Sequence, residues 1–204
     1  MSPPRPIPPH PDLDLLSDET VWDGRFALQR IRFRHRRFDG AMSGVLTWEL
    51  WRRGGAVAVL PYDPRADRVV LIEQFRLPAL AAGVNPVMTE IVAGLGEPGE
   101  AQDVTARREL REETGLACGR LELVMETLLM QGGCDESIAI YVAEVTAPAQ
   151  NGTFGLAAEE ENIRVKVMPA PEAIAAATSL GNATGILALL WLGTHRDRLR
   201  RDWA

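Results

Sequence analysis

Apolar residues recur at about every second position in several segments of the chain, and this period of two is typical of strands with one buried face. In residues 25–37 these positions are occupied by Phe26, Leu28, Ile31 and Phe33. Residues 55–76 contain two apolar runs separated by the turn-rich sequence DPRAD, which predicts a β-hairpin. We predict further strands at residues 89–92, 121–129, 138–145 and 163–168.

Three segments are predicted to be helical: residues 103–113, 171–177 and 183–201. The apolar run at residues 186–193 is far shorter than the about 20 residues that cross a bilayer. We therefore interpret it as the buried face of a helix. Mostly antiparallel strands combined with few helices predict a mixed α/β or α+β domain.

Length, composition and charge indicate an ordinary globular protein. The 204 residues suffice for one domain, or for one domain with an extra lobe, and 46% of them are hydrophobic. The formal net charge of -6 and the pI near 5.2 argue against nucleic acid as a partner. The first predicted strand nevertheless carries arginines, which we interpret as a solvated face: Arg30, Arg32, Arg34, Arg36 and Arg37.

The N-terminal sequence and the two cysteines indicate the cellular compartment of the protein. The sequence MSPPRPIPPHP lacks an apolar stretch of signal-peptide length, and it predicts a flexible Pro-rich arm over residues 1–18. Cys118 and Cys134 are isolated, without metal-ligand or redox spacing, which indicates reduced thiols. We expect a cytoplasmic protein with no membrane partner.

Acidic residues are concentrated between residues 91 and 116. On the predicted helix, Glu109 and Glu113 lie one turn apart on one face, and Glu112 lies beside them. Three carboxylates on one face suit a hard divalent cation such as Mg²⁺, which prefers oxygen ligands and can be shared with substrate phosphates. The alternative is a solvated acidic helix face, and the spacing of the residues decides between the two.

The spacing matches, without a gap, a pattern of Gly, five residues, Glu, seven residues, and then Arg-Glu-apolar-x-Glu-Glu-x-Gly-apolar. The matching residues are Gly94, Glu100, Arg108, Glu109, Leu110, Glu112, Glu113, Gly115 and Leu116. This pattern is the Nudix box, and the chain resembles Nudix hydrolases, which cleave nucleoside diphosphates linked to another group. The stretches FRHRRFDGAMS, VVLIEQFR and QGGCDE resemble the bacterial members that hydrolyse ADP-ribose, and this closer resemblance covers residues 19–204.

The resemblance implies a fold, a reaction and a metal site. The fold is a Nudix-type α/β/α sandwich at residues 56–204, with an N-terminal β-rich dimerisation lobe at residues 19–55. The reaction is metal-dependent hydrolysis of the pyrophosphate bond of ADP-ribose to AMP and ribose 5-phosphate, carried out by a homodimer. Glu112 supports the metal ligands, and Glu159 matches the residue proposed as general base. The ligands of Mg²⁺, or of Mn²⁺, are the Ala93 carbonyl, Glu109, Glu113 and Glu161.

The resemblance also implies a set of substrate-binding residues. Arg25 and Trp48 match the base-stacking positions, although the related enzymes have an aromatic residue and then an arginine there. Gln131 occupies a position at which they usually have proline, so another nucleotide sugar such as GDP-mannose stays open as the substrate. A non-catalytic nucleotide-sensing domain is a further alternative. The complete set is Arg25, Phe26, Trp48, Glu49, Arg53, Arg76, Leu95, Met130, Gln131, Gly132 and Glu136.

Overall fold

The computed structural model of the protein describes residues 6–148, 152–156 and 160–204. The chain forms two compact units. Unit 1 consists of Met1–Gly54 and Leu128–Ser137, and unit 2 consists of Gly55–Thr127 and Ile138–Ala204. The return of the chain to unit 1 at Leu128–Ser137 differs from the predicted division, in which this segment lies in the hydrolase domain.

Unit 1 is built on a three-stranded antiparallel sheet in the order β1 (Leu13–Asp23), β2 (Ala27–His35) and β3 (Leu46–Arg52). The predicted flexible arm is wrong for residues 13–18, because they form the first part of β1. Most residues of β1 are exposed, so the strand has no apolar alternation and depends on its hydrogen bonds to β2.

The return segment is held to β3 by backbone and side-chain hydrogen bonds. Trp51 N donates to Gly133 O at 2.8 Å, and Asp135 N donates to Trp51 O at 3.2 Å. The Asp135 carboxylate accepts from Arg53 N at 2.7 Å. These contacts join residues about eighty positions apart in the sequence, and local patterns do not reveal such contacts.

Unit 2 contains a larger sheet in the order β10-β11-β5-β4-β9-β8, with β6 paired to β5 and β7 paired to β4. Its strands are β4 (Gly55–Asp63), β5 (Arg68–Phe75), β6 (Val87–Glu90), β7 (Val92–Leu95), β8 (Leu121–Leu128), β9 (Ser137–Glu144), β10 (Thr153–Phe154) and β11 (Ile163–Pro169). β4 and β5 confirm the predicted hairpin. The single strand predicted at residues 89–92 is wrong, because the chain leaves β5 at Ile91 and continues against β4.

Helices cover both faces of this sheet. They are α1 (Leu77–Ala81), α2 (Gln102–Thr114), α3 (Ala170–Ala175) and α4 (Ala183–Trp203). Ala106 and Leu110 of α2 belong to the core formed by one face, which includes Val57 and Val59 of β4. The alternate residues of β4 point to the other face, where α4 contacts the strand and buries its own leucines.

This arrangement confirms the predicted mixed α/β class and the α/β/α sandwich. The predicted helix at residues 103–113 is confirmed as α2, which is one residue longer at each end. None of the helices in the described part of the chain is long and apolar enough to cross a membrane.

Candidate active site

α2, which carries the box, and β7 bring three of the predicted metal ligands near one another in unit 2: Ala93, Glu109 and Glu113. α2 ends at Thr114 and is capped by Gly115, whose φ of 72° is left-handed and carries no steric cost in a residue without a Cβ atom. Helical spacing places Glu113 one turn after Glu109, and the Glu113 side chain is buried, with 3% of the residue exposed. Ala93 N of β7 donates to Glu113 Oε2 at 3.2 Å, which fixes this carboxylate beside the backbone of its proposed co-ligand.

Arg108 connects the carboxylates of the box. Its Nη1 donates to Glu109 Oε1 at 2.8 Å and to Glu112 Oε2 at 2.9 Å. Its Nε and Nη2 each donate to Glu100 at 3.1 Å, and Nη2 also donates to Leu95 O at 3.0 Å. One guanidinium thus orients three acidic side chains and the backbone of β7, which is the fork-like donor geometry that distinguishes arginine from lysine.

The Glu100 carboxylate, which accepts from Nε and Nη2 of Arg108, holds the loop before α2 in place. The hydrogen bonds from Arg108, followed by that from Glu97 N, lower the pKa of Glu100 to about 2. Thr105 Oγ1 donates to Glu100 Oε2 at 2.9 Å, which ties the carboxylate to the first turns of α2. Glu100 is therefore ionised at neutral pH and holds Arg108 in place.

The electrostatics of Glu109 and Glu113 differ from those of an ordinary surface helix. Burial, and then the charges of Glu109 and Glu161, raise the pKa of Glu113 to about 8. Burial also raises the pKa of Glu109, to which the charges of Glu112 and Glu161 contribute. Carboxylates whose pKa values are raised by burial and by neighbouring acidic charges are stabilised in their charged forms by a cation.

The donor chemistry fits a hard divalent ion, since the carboxylates and the Ala93 carbonyl supply oxygen atoms. Across the described ranges, however, no three acidic, thiol or imidazole side chains already form a complete metal cluster. Arg108 engages Glu109 and Glu112, and Leu156 N donates to Glu161 Oε2 at 3.2 Å. Glu159 lies outside the described residues.

Arg76, a predicted phosphate-binding residue of unit 2, is bound to Glu90. Arg76 Nε donates to both Glu90 carboxylate oxygens at 3.1 Å, and Nη2 donates to Oε2 at 2.7 Å. Sequence reasoning missed Glu90. In the sequence, Glu90 is an acidic residue in a short predicted strand, and nothing else distinguishes it. Because Glu90 lies fourteen positions from Arg76, no local pattern indicates that the two residues pair.

Leu95, another predicted substrate residue, lies on β7 of unit 2, and the remaining ones lie in unit 1, in two groups. In the first group, Arg53 Nε donates to Glu136 Oε1 at 2.7 Å, and the Arg53 guanidinium lies 4.4 Å from the Phe26 ring centroid. Arg25 also lies over the Phe26 ring, at 5.7 Å. Trp51, which sequence reasoning did not place in the site, covers Arg53 at 4.7 Å. This group is an arginine held by two aromatic rings and one carboxylate.

The second group lines an apolar cavity of about 180 Å³ in unit 1. Trp48 is 54% exposed and meets Phe33 edge to face, with 5.2 Å between ring centroids. The predicted residues in this lining are Trp48, Glu49, Gln131 and Gly132. Met130 is half exposed. Arg25 contacts the first group and Trp48 the second, so each base-stacking candidate has a different aromatic neighbour.

Comparisons with known proteins agree with this geometry. Residues 52–188 match the NUDIX domain. The chain is 41% identical over 195 residues to an ADP-ribose pyrophosphatase of Escherichia coli strain K12, covering 95% of this chain and 93% of the relative. It is 32% identical over 164 residues to a GDP-mannose pyrophosphatase of Enterobacter sp. strain 638, covering 79% of this chain and 84% of the relative.

A solved structure described as an ADP compounds hydrolase has the same fold. It aligns with a TM-score of 0.68 and 21% identity, covering 94% of this chain and 96% of that chain. The domain match spans most of the sequence and contains the complete box with its buried Glu113. The chain therefore belongs to the Nudix family.

Proposed function

We propose that the protein is a pyrophosphohydrolase that uses a divalent metal ion to cleave ADP-ribose into AMP and ribose 5-phosphate. The observation that carries the proposal is the buried Glu113 beside the Ala93 backbone, with Glu109 one turn earlier on α2. Enclosing two neighbouring carboxylates, one buried and one with 12% of its side chain exposed, is costly unless a cation stabilises their charged forms. A solvated acidic helix face would not bury them.

Mg²⁺ or Mn²⁺ would be held by the Ala93 carbonyl, Glu109, Glu113 and Glu161. Such an ion neutralises the charge of a diphosphate and lowers the pKa of a bound water. The chain itself orients the reacting groups. The hydrogen bonds of Arg108 with Glu109 and Glu112 fix the carboxylates on this face of α2. Arg76 provides a positive charge for the diphosphate oxygens. We assign proton acceptance from the attacking water to Glu159, on the strength of its position in the family pattern.

ADP-ribose is favoured over GDP-mannose by the extent of the similarity. The ADP-ribose pyrophosphatase of E. coli matches 95% of this chain at 41% identity, against 79% at 32% for the GDP-mannose pyrophosphatase. The higher identity also extends over more of the chain. GDP-mannose remains the second candidate, supported by Gln131 at the position where proline is usual.

A cytoplasmic homodimer is the proposed assembly. Unit 1 exposes many large apolar side chains, among them Leu15, Leu16, Val21, Trp22, Val45, Trp48 and Trp51. Aromatic-rich exposed surface of this kind is typical of subunit interfaces. The two cysteines are free thiols, which fits a reducing compartment.

The function is tested by incubating the purified protein with Mg²⁺ and a panel of nucleotide sugars, and identifying the products by mass spectrometry. We expect AMP and ribose 5-phosphate from ADP-ribose, and no hydrolysis after a chelator removes the metal. Glu113→Gln should lower kcat by orders of magnitude because it removes a ligand charge.

Glu122→Gln is a matched control for that substitution. Glu122 forms an ion pair with Arg198 at 2.6 Å, on β8 and α4, and belongs to no part of the proposed site. Hydrolysis that persists in the chelator, or in Glu113→Gln, would contradict the metal assignment. Faster turnover of GDP-mannose than of ADP-ribose would replace the substrate while keeping the enzyme class.

A further inference from the structure

Arg76, the residue after β5, and Glu90, the last residue of β6, form an ion pair. Three hydrogen bonds of 2.7 to 3.1 Å join the guanidinium to both carboxylate oxygens. The Glu90 side chain is 13% exposed, whereas that of Arg76 is 39% exposed. The carboxylate is therefore the enclosed partner and the guanidinium the accessible one.

The pair lies on the α2 side of the sheet. Arg76 is extended, with φ of -122° and ψ of 103°, so it continues the alternation of β5. Val70 and Ile72 precede it on the same face, and both belong to the core that contains Leu110 of α2. Arg76 thus points to the face on which α2 carries the box carboxylates.

The electrostatic environment agrees with this placement. Burial lowers the pKa of Arg76, but the hydrogen bonds and charge of Glu90, followed by the charges of Glu113 and Glu161, raise it above its usual value. The guanidinium is therefore within electrostatic reach of two proposed metal ligands. An anion bound between the metal site and Arg76 would be attracted by both.

Both backbones of the pair are anchored. Arg76 N donates to Pro86 O at 2.7 Å, and this hydrogen bond joins the two ends of the segment that contains α1. Glu90 is paired with Ile72 across the β5–β6 ladder. Asn182 Nδ2 donates to Thr89 O at 2.7 Å, while Asn182 Oδ1 caps α4 by accepting from Gly185 N at 2.9 Å. The backbone at Glu90 is consequently held in place, and this limits where its long side chain can lie.

We propose that Glu90 is a positioning residue that fixes the Arg76 guanidinium for the substrate diphosphate, an inference that rests on the proposed function. Glu90 uses Nε and Nη2, and within the described ranges Arg76 Nη1 has no hydrogen-bond acceptor. Nη1 of Arg76 can therefore donate a hydrogen bond to a phosphate oxygen. Holding the guanidinium before binding removes the entropic cost of ordering a flexible arginine.

The test measures binding of ADP with Mg²⁺ by calorimetry, because ADP contains the diphosphate and its binding does not depend on hydrolysis. Four proteins are compared: the wild type, Glu90→Gln, Arg76→Ala and the double variant. We expect Glu90→Gln to weaken ADP binding by about tenfold, the order expected for losing a charged partner that orients the guanidinium. The double variant should bind ADP as Arg76→Ala does, because Glu90 acts only through Arg76.

Matched controls separate positioning from a structural role. Glu122→Gln breaks the ion pair of 2.6 Å with Arg198 on another part of unit 2 and should leave ADP binding unchanged. Thermal unfolding of every variant identifies a loss of fold. Glu90→Asp, which keeps the charge on a shorter side chain, should recover part of the affinity lost in Glu90→Gln.

Several outcomes would overturn the proposal. The first is unchanged or tighter ADP binding in Glu90→Gln. The second is a double variant whose loss of ADP affinity equals the product of the losses in the two single variants. The third is a wild type that does not bind ADP. The assignment of the substrate is judged separately, by turnover of ADP-ribose. A wild type that binds ADP through Arg76 but does not hydrolyse ADP-ribose would reject the proposed substrate while keeping the role of Glu90.

Discussion

Gly94 lies so close to Glu109 that a Cβ atom built on it would fall 2.0 Å from the Glu109 carboxylate. Gly94 is on β7, opposite Val57 of β4, and Glu109 is on α2. The first glycine of the box is therefore required by the approach of a side chain to the backbone, rather than by an unusual φ angle.

Gly94→Ala should lower kcat for ADP-ribose hydrolysis by about 10²-fold, since displacing a catalytic group by about 1 Å can cost that much. The added methyl group displaces the Glu109 carboxylate, whereas the core of unit 2 keeps its packing. Steady-state kinetics at saturating Mg²⁺ measures the effect.

Gly96→Ala is the control, because its Cβ atom would meet only Thr105 Oγ1, at an ordinary contact distance of 3.5 Å. We expect its kcat to stay within about a factor of three of the wild-type value. Equal losses in the two variants would show that the loop as a whole, and not the approach to Glu109, limits activity.

The raised pKa of Glu113 predicts a pH-dependent stability for the metal-free protein. A folded pKa of about 8, above the ordinary value of 4.5, means that the folded state keeps a proton which the unfolded state has lost. Between these two values the free energy of unfolding should fall as pH rises, by at most about 1.4 kcal/mol per pH unit. Urea unfolding in chelator at several pH values measures this slope.

Glu113→Gln should flatten that slope, because glutamine resembles the protonated acid at every pH. Glu122→Gln should leave the slope in place. If Glu113→Gln and the wild type had the same pH dependence, the raised pKa would not belong to Glu113.

The same pKa predicts that Mg²⁺ binding releases a proton at neutral pH, because a ligand carboxylate must be ionised. Calorimetric titration of Mg²⁺ in two buffers of different ionisation enthalpy should therefore give different apparent binding enthalpies. The difference should be smaller in Glu113→Gln. Identical enthalpies in the two buffers for the wild type would exclude a protonated ligand at this pH.

The box was predictable from the sequence because its chemistry is local. Helical spacing places Glu109, Glu112 and Glu113 together, and the structure confirms the helix to within one residue at each end. The hairpin of unit 2 was predictable for a similar reason, since two apolar runs flank a turn.

The contacts that complete the candidate sites were not predictable, because they join distant parts of the chain. The apolar residues of β1 do not alternate and are mostly exposed, and the strand is identified by its pairing with β2. Leu128–Ser137 joins unit 1 through hydrogen bonds of Asp135 and Gly133. The pair of Arg76 and Glu90 likewise depends on the β5–β6 register. Periodicity reports which residues are buried, and it carries no information about their partners.

Glu159, rather than Glu160, is predicted to accept the proton of the attacking water. Glu159→Gln should depress kcat by about 10²- to 10⁴-fold with a modest change in KM, because a general base acts in the transition state. Glu160→Gln is the neighbouring control for the same loss of charge. An equal loss in both variants would mean that the segment acts through its net charge, and a nearly unaffected Glu159→Gln would return the role of base to Glu112.

Trp48 is predicted to stack on the adenine of ADP-ribose. The indole is 54% exposed and lines the cavity of about 180 Å³ in unit 1, and its edge-to-face contact with Phe33 fixes the orientation of its ring. A stacked base binds similarly in the ground and transition states, so Trp48→Ala should raise KM and spare kcat. The expected loss is about 1 to 3 kcal/mol, by analogy with base stacking on aromatic side chains.

Two further measurements establish whether Trp48 acts on the substrate or on the assembly. Light scattering should show that Trp48→Ala keeps the oligomeric state of the wild type, and the KM for ADP-ribose should rise more than the inhibition constant for ribose 5-phosphate, which has no base. A fall in kcat with unchanged KM, or a change of oligomeric state, would assign Trp48 to the fold or to the subunit interface. Trp48→Phe should recover most of the affinity, because a smaller aromatic ring still stacks on a purine.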